Sequence, residues 1–200
     1  MKKRICSKPS LKDIEKIILK AGLDISKKDE GALFIISDRI RYKRMLKQKV
    51  QPFSIFECGA RKLLPSIGMI DGAVIINKNG IVIDYGVKVA AKKVLKGYGT
   101  RHSAAYSASF EKETISILVS QEEKKIKIFK KGKLIAQIDA LEKNVEKHVS
   151  RIHEILESAG VGALSTIGIS FLAPELGIAI LPGIVLFGVP YYILRKLRKR

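Results

Sequence analysis

Two apolar runs, Ala73-Val74-Ile75-Ile76 and Ile81-Val82-Ile83-Asp84, flank Asn77-Lys78-Asn79-Gly80, and no other feature restricts the fold as tightly. Asn-Gly accepts the positive φ that a tight turn needs, so the runs are expected to fold back on each other as an antiparallel hairpin. Similar patterns recur downstream. Thr114–Val119 and Lys125–Phe129 read as strands, the second in clean alternation, and Lys131-Gly132 turns into Leu134–Ile138. Upstream, Gly31-Ala32-Leu33-Phe34-Ile35-Ile36 is a short apolar run suited to a buried strand.

Helical patterns interleave with these strands. Ser10 is placed to cap a helix with Leu11, Ile14, Ile17, Ile18 and Ala21 on one side, and Gly22 is expected to end it. The basic stretch from Asp38 to Val50 carries Ile40, Met45, Leu46 and Val50 as an apolar side and is expected to be a solvated helix. A further helix is expected over Leu141–Leu156, with His148 and His153 as structural residues on it. The fold class is therefore α/β, a mixed β-sheet flanked by helices, because the hairpins demand antiparallel pairing. Residues 1–158 are long enough for one domain with a sizeable core.

Residues 159–200 differ in kind. From Ala159 to Leu194 the only formal charge is Glu175, and the chain then runs Arg195-Lys196-Leu197-Arg198-Lys199-Arg200. A run of this length meets the criterion of about 20 apolar residues per span, so a hydrophobic helical segment, transmembrane or re-entrant, is expected. A helix from Leu176 to Leu194 would extend roughly 28 Å. A hairpin turning at Pro174-Glu175 suits the charges better, since it keeps both basic flanks on the cytosolic side and lifts Glu175 from the bilayer centre. Residues 1–158 are then expected at the cytoplasmic face of a membrane. The N-terminus, MKKRICSKPS, has no apolar core behind its basic residues and does not read as a signal peptide.

A formal net charge of +19 favours an anionic partner: nucleic acid, anionic lipid or a nucleotide polyphosphate. The basic runs Arg39–Lys49 and Lys124–Lys133 lack interleaved aromatics and match no nucleic-acid motif, so no nucleic-acid partner is expected. Cys6 and Cys58 have no metal-ligand spacing and read as small, buried or half-buried residues in a reduced compartment.

Two segments put reactive residues where a core has no use for them. Asp71-Gly72-Ala73 sets a carboxylate at a strand's start, with glycine leaving room for a ligand beside the backbone. Gly97-Tyr98-Gly99-Thr100-Arg101-His102-Ser103-Ala104-Ala105 leads from glycines to a hydroxyl, a guanidinium and an imidazole at a helix start. With Thr100 as the cap, free N–H groups and the positive helix end would face the same place as Arg101, which suits phosphate.

Together these segments resemble the DisA-type diadenylate cyclase domain, whose signatures are an Asp-Gly-Ala strand start and a later Gly-Thr-Arg-His-x-Ala-Ala. Gly31-Ala32-Leu33 and Val119-Ser120-Gln121-Glu122 are similar to two further segments of that family, in the correct order from Gly31 to Ile138. The resemblance implies that each domain binds one ATP, that two domains meet face to face as a homodimer, and that two ATP become cyclic di-AMP and two pyrophosphates. It implies Asp71, Arg101 and His102 as catalytic residues. Gly72, Ala73, Val89, Thr100, Ser103 and Ser120 would contact ATP. Asp71 and Glu122 would hold a divalent metal, Mn2+ or Mg2+. Ser103 stands where the family commonly has a second arginine, and Gln121 replaces one of two adjacent acids. Those departures motivate one alternative, a catalytically weak ATP-binding sensor; the basic runs Arg39–Lys49 and Lys124–Lys133 motivate another, a membrane-tethered nucleic-acid-binding module.

Overall fold

The computed structural model describes residues 9–47, 49–95, 97–142, 178–181 and 184–187. In chain order the elements are α1 (Leu11–Ser26), β1 (Ala32–Ile36), β2 (Tyr42–Arg44), β3 (Phe53–Ser54), α2 (Ala60–Gly68), β4 (Ala73–Ile76) and β5 (Ile81–Val89). They continue with α3 (Thr100–Ala108), β6 (Ile115–Ser120), β7 (Lys125–Lys130), β8 (Lys133–Asp139), β9 (Ile178–Leu181) and β10 (Ile184–Phe187).

Ser10 caps α1 as expected. Its hydroxyl accepts from the Asp13 N–H at 3.3 Å, and the Asp13 carboxylate accepts from the Ser10 N–H at 3.2 Å, a reciprocal capping box. The helix does not end at Gly22 but continues to Ser26. A Cβ at Gly22 would lie 3.1 Å from Ile126 Cδ1 and 3.2 Å from Val119 Cγ2, so this glycine lets α1 approach the sheet closely.

The strands form one sheet in the order β2-β5-β4-β1-β6-β7-β8-β10-β9, with β3 also paired to β5. Among the described residues only β1 and β4 run parallel, in the register Phe34↔Val74, and the chain between them crosses over through α2. Every other pairing is antiparallel. The Asn77–Gly80 turn forms as expected, with the Gly80 N–H donating to the Asn77 carbonyl at 3.0 Å.

Both faces of the central strands are covered. On one, Ile14, Ile18 and Leu64 from α1 and α2 pack on Phe34, Ile36 and Ile117. On the other, Ala105 and Ala108 of α3 lie over Leu33, Ile35 and Leu118. This two-sided burial explains why β1 is apolar at every position. Each large side chain so buried contributes about 1.5–3 kcal/mol.

Strand direction then gathers the site. β1 and β4 begin at the same end of the sheet because they are parallel, while β5 and β6 finish there because they are antiparallel to those neighbours. Gly31, Asp71-Gly72, Val89 and Ser120 are thereby brought to one end.

Three further expectations are corrected. The Asp38–Val50 stretch contains no helix among its described residues; it contributes β2, paired Tyr42↔Val89 and Arg44↔Val87. Asp84 on β5 is buried, and the Arg44 Nε bonds its Oδ2 at 2.5 Å. Burying a carboxylate without a charged partner is costly, so this pairing holds the basic stretch flat against the sheet. Cys58 is exposed rather than buried. The apolar C-terminal run is not helical throughout: Ile178–Leu181 and Ile184–Phe187 are strands, and β10 extends the sheet by pairing with β8, Ile184↔Ile138 to Leu186↔Ala136. Backbone pairing at an open sheet edge uses such a run as well as a helix does. Among the described residues no helix is long and apolar enough to cross a membrane. Most of the expected Leu141–Leu156 helix, the Pro174-Glu175 turn, Cys6, His148, His153 and the basic tail lie outside the described residues.

Candidate active site

Arg101 ties the site together. Its Nη1 donates to the Gly31 carbonyl at 3.3 Å and its Nη2 to Asp71 Oδ1 at 3.3 Å, joining the starts of β1 and β4 to the start of α3. Gly31 admits the guanidinium: a Cβ there would stand 2.9 Å from Nη1. Asp71 is 86% exposed at the cleft mouth, and its Oδ1 also accepts from the Gly72 N–H at 3.0 Å. Gly72 has φ +102°, and a Cβ there would be 2.7 Å from both the backbone N and O of Val87. No other residue type fits that backbone.

Helix α3 begins one residue earlier than expected. Gly99, not Thr100, is the N-cap, and no side chain caps the first turn. The early N–H groups are therefore left for a ligand, at the helix end that favours negative charge.

Two clefts meet at Arg101. The first, about 440 Å³, is largely apolar and is lined by Asp71, Gly72, Ala73, Val89, Thr100, Arg101 and Ser103 among the expected residues. Met45, Val94 and Tyr98 also stand in its wall. Sequence reasoning missed all three, although each is a large apolar side chain left substantially exposed. The second, about 260 Å³, is more polar and brings Asp71, Thr100, Arg101 and His102 together with Ser120 and Glu122. Every expected site residue thus lines one cleft or both.

Ser103 is nearly buried, and its Oγ accepts from the Leu95 N–H at 3.2 Å. One turn along α3, Ser107 Oγ accepts from the Lys93 N–H at 3.2 Å. These two hydroxyls hold the 90–95 loop that walls the apolar cleft. Ser120 is also buried and accepts from the Glu123 N–H at 3.3 Å, closing the β6–β7 turn. His102 is buried too. Burial, then the nearby positive charge of Lys127, pushes its imidazole below the ordinary range, against the opposing pull of Glu123 and Glu122.

Among the described residues no group of three or more His, Cys, Asp or Glu side chains could hold a metal. Asp71 and Glu122 nevertheless line the same polar cleft. Two carboxylates suit a hard divalent ion that fills its remaining positions with water and phosphate oxygens rather than with a protein cage.

An apolar slot that ends in phosphate-seeking donors, hung from one end of a mixed α/β sheet, marks a nucleotide-binding domain. The chain belongs to the DAC family, described as DisA bacterial checkpoint controller nucleotide-binding, whose family model matches residues 19–134. It is 31% identical over 142 residues to a diadenylate cyclase of Methanocaldococcus jannaschii, covering 66% of this chain and 46% of that one. It is 25% identical over 139 residues to a diadenylate cyclase of Haloferax volcanii, covering 61% and 51%. The chain therefore spans about half the length of these curated relatives. Among solved structures, a double mutant of DacA from Staphylococcus aureus aligns at 25% identity with a TM-score of 0.48, covering 74% of this chain and 96% of that one.

Proposed function

We propose that this chain is a diadenylate cyclase, condensing two ATP into cyclic di-AMP and two pyrophosphates. The observation that carries this reading is the meeting of four separated segments, at Gly31, Asp71–Ala73, Gly99–Ser103 and Ser120–Glu122, around one pair of adjoining clefts. The adenine would lie in the apolar cleft against Val89, and the triphosphate would run past Thr100 and Arg101 into the polar one. In each half-reaction a ribose 3′-oxygen forms a bond to the α-phosphorus of the other ATP. The bond from that phosphorus to the bridging oxygen breaks, and pyrophosphate leaves with the electron pair.

Neither ATP can react alone, so two domains must meet face to face. The open cleft mouth, with Asp71 exposed on it, leaves room for the second nucleotide. Asp71 would accept the 3′-hydroxyl proton or orient that hydroxyl. Arg101 and the uncapped α3 start would bear the charge that develops on the phosphate oxygens. A divalent ion, Mn2+ or Mg2+, would be held by Asp71 and Glu122 and would neutralise phosphate charge.

The test is to incubate the full chain with ATP and Mn2+ and assay cyclic di-AMP and pyrophosphate. Product should form in a ratio of one to two, with a rate that falls faster than linearly on dilution. Bound ATP without product would instead mark a sensor, and an absence of nucleotide binding would sink both readings. Ser103→Ala frees the Leu95 N–H and loosens the cleft wall. Loss of one such hydrogen bond, about 1 kcal/mol, should raise KM for ATP about 5-fold with kcat little changed. An unchanged KM would show that the loop needs no clasp.

Association with an anionic membrane surface is the further part of this reading. Its support is the almost uncharged run from Ala159 to Leu194 followed by a basic hexapeptide. The full chain should co-float with vesicles containing anionic lipid and bind neutral vesicles less well. No co-flotation with either would remove it.

A further inference from the structure

Lys127 is a charged side chain in an unusual position. It lies on β7 with only 4% of its surface exposed, and it lines neither cleft. Its Nζ donates to Glu123 Oε1 at 2.6 Å, lies 4.6 Å from the Tyr98 ring centroid, and reaches His102 Nε2 at 3.4 Å. The Tyr98 ring packs on the His102 ring with centroids 4.9 Å apart. The imidazole is thus held by an aromatic face and by the buried end of an ion pair whose acid is half-buried.

An ammonium has three donors and no lone pair. A nitrogen that faces it at hydrogen-bond distance must be the acceptor, so Nε2 carries no proton and the single ring proton resides on Nδ1. Protonating Nε2 would set two donors and two positive charges against each other.

We propose that Lys127, held by Glu123, is a positioning residue that fixes His102 as the neutral Nδ1–H tautomer. His102 then has no free lone pair to offer in the cleft and cannot serve as a general base there. It can act only as a donor through Nδ1, polarised from behind by the ammonium, toward an anionic oxygen in the polar cleft. The identity of that oxygen as a triphosphate oxygen rests on the ATP reading; the tautomer does not. The groups that bear on the imidazole are Lys127 and Glu123, with Glu122 on the same turn and Tyr98 on the loop before α3. Burial and Lys127 favour the neutral ring, and the two acids oppose them.

The experiment is nitrogen-detected NMR of the imidazoles in the full, nucleotide-free chain, with His102→Gln used to assign the signal. Wild-type His102 should show a protonated Nδ1 and a bare Nε2, and should stay neutral to lower pH than an ordinary histidine. Lys127→Met, which keeps the bulk and removes the donor, should move the proton toward Nε2 and raise the titration midpoint. Glu123→Gln, which leaves the Lys127 donor in place, should keep the Nδ1–H form. A wild-type Nε2–H signal, or a Lys127→Met spectrum matching wild type, overturns the proposal. In the cyclase assay Lys127→Met should lower kcat about 10-fold, the loss expected when a charge-assisted hydrogen bond of about 1.5 kcal/mol that orients His102 is removed. If the wild-type chain makes no cyclic di-AMP, the assigned oxygen falls with the ATP reading, and the NMR still decides the tautomer.

Discussion

Asp71→Asn is expected to lower cyclic di-AMP formation by about 10³-fold or more while ATP still binds. The carboxylate stands exposed at the junction of both clefts, with one oxygen already accepting from Arg101 and from the Gly72 N–H. The amide oxygen of asparagine can accept both of those bonds, so the strand start should hold its shape. It cannot take a proton, and it carries no charge to offer a divalent ion. The loss should therefore fall on kcat, and thermal unfolding should move little. A variant that retains more than a tenth of wild-type turnover would move the activating role elsewhere, with Glu122 the next carboxylate to test.

Gly72→Val should show the opposite pattern, a fold defect that takes activity with it. The residue sits at φ +102°, where a β-branched side chain is strained, and its Cβ would press on the Val87 backbone at 2.7 Å. Backbone in the middle of a sheet cannot swing aside as a side-chain tip can. Strain and overpacking together suggest about 3–5 kcal/mol, which lowers Tm by about 10 °C for a chain of this size. Calorimetry or circular dichroism would measure the shift. A Tm within about 2 °C of wild type would mean that the β4–β5 register relaxes around the new side chain.

Much of the fold could be read before any coordinates. The Asn77–Gly80 turn, the Ser10 cap and the alternating strands are local, because a few adjacent residues decide them. The features that escaped depend on distant partners. Gly22 reads as a helix stop until Ile126 and Val119 lie against it. The basic stretch after Asp38 reads as a solvated helix until buried Asp84, 40 residues further along, claims Arg44. Lys125 and Lys127 look alike in an alternating strand, yet only Lys127 is buried beside His102. The site shows the same division. Its glycines, Asp71 and Arg101 stand out as motif residues, whereas Met45 and Val94 enter the cleft wall from segments with no motif of their own, and Tyr98 sits unremarked between the motif's glycines. In the C-terminal run, apolar composition alone could not separate a helix from the paired strands β9 and β10.

The bridge from Arg101 to Asp71 also bears on selectivity. Without nucleotide, the cleft acts as its own counterion, with the guanidinium satisfied by a carboxylate and by the Gly31 carbonyl. An arriving anion gains only the difference between its own attraction for Arg101 and the one it displaces. Chloride or orthophosphate, with one point of attachment, has little to gain from that exchange. On the proposed reading a triphosphate would compete because it would engage the guanidinium, the open helix start and a divalent cation at once, and so release Asp71 as it binds.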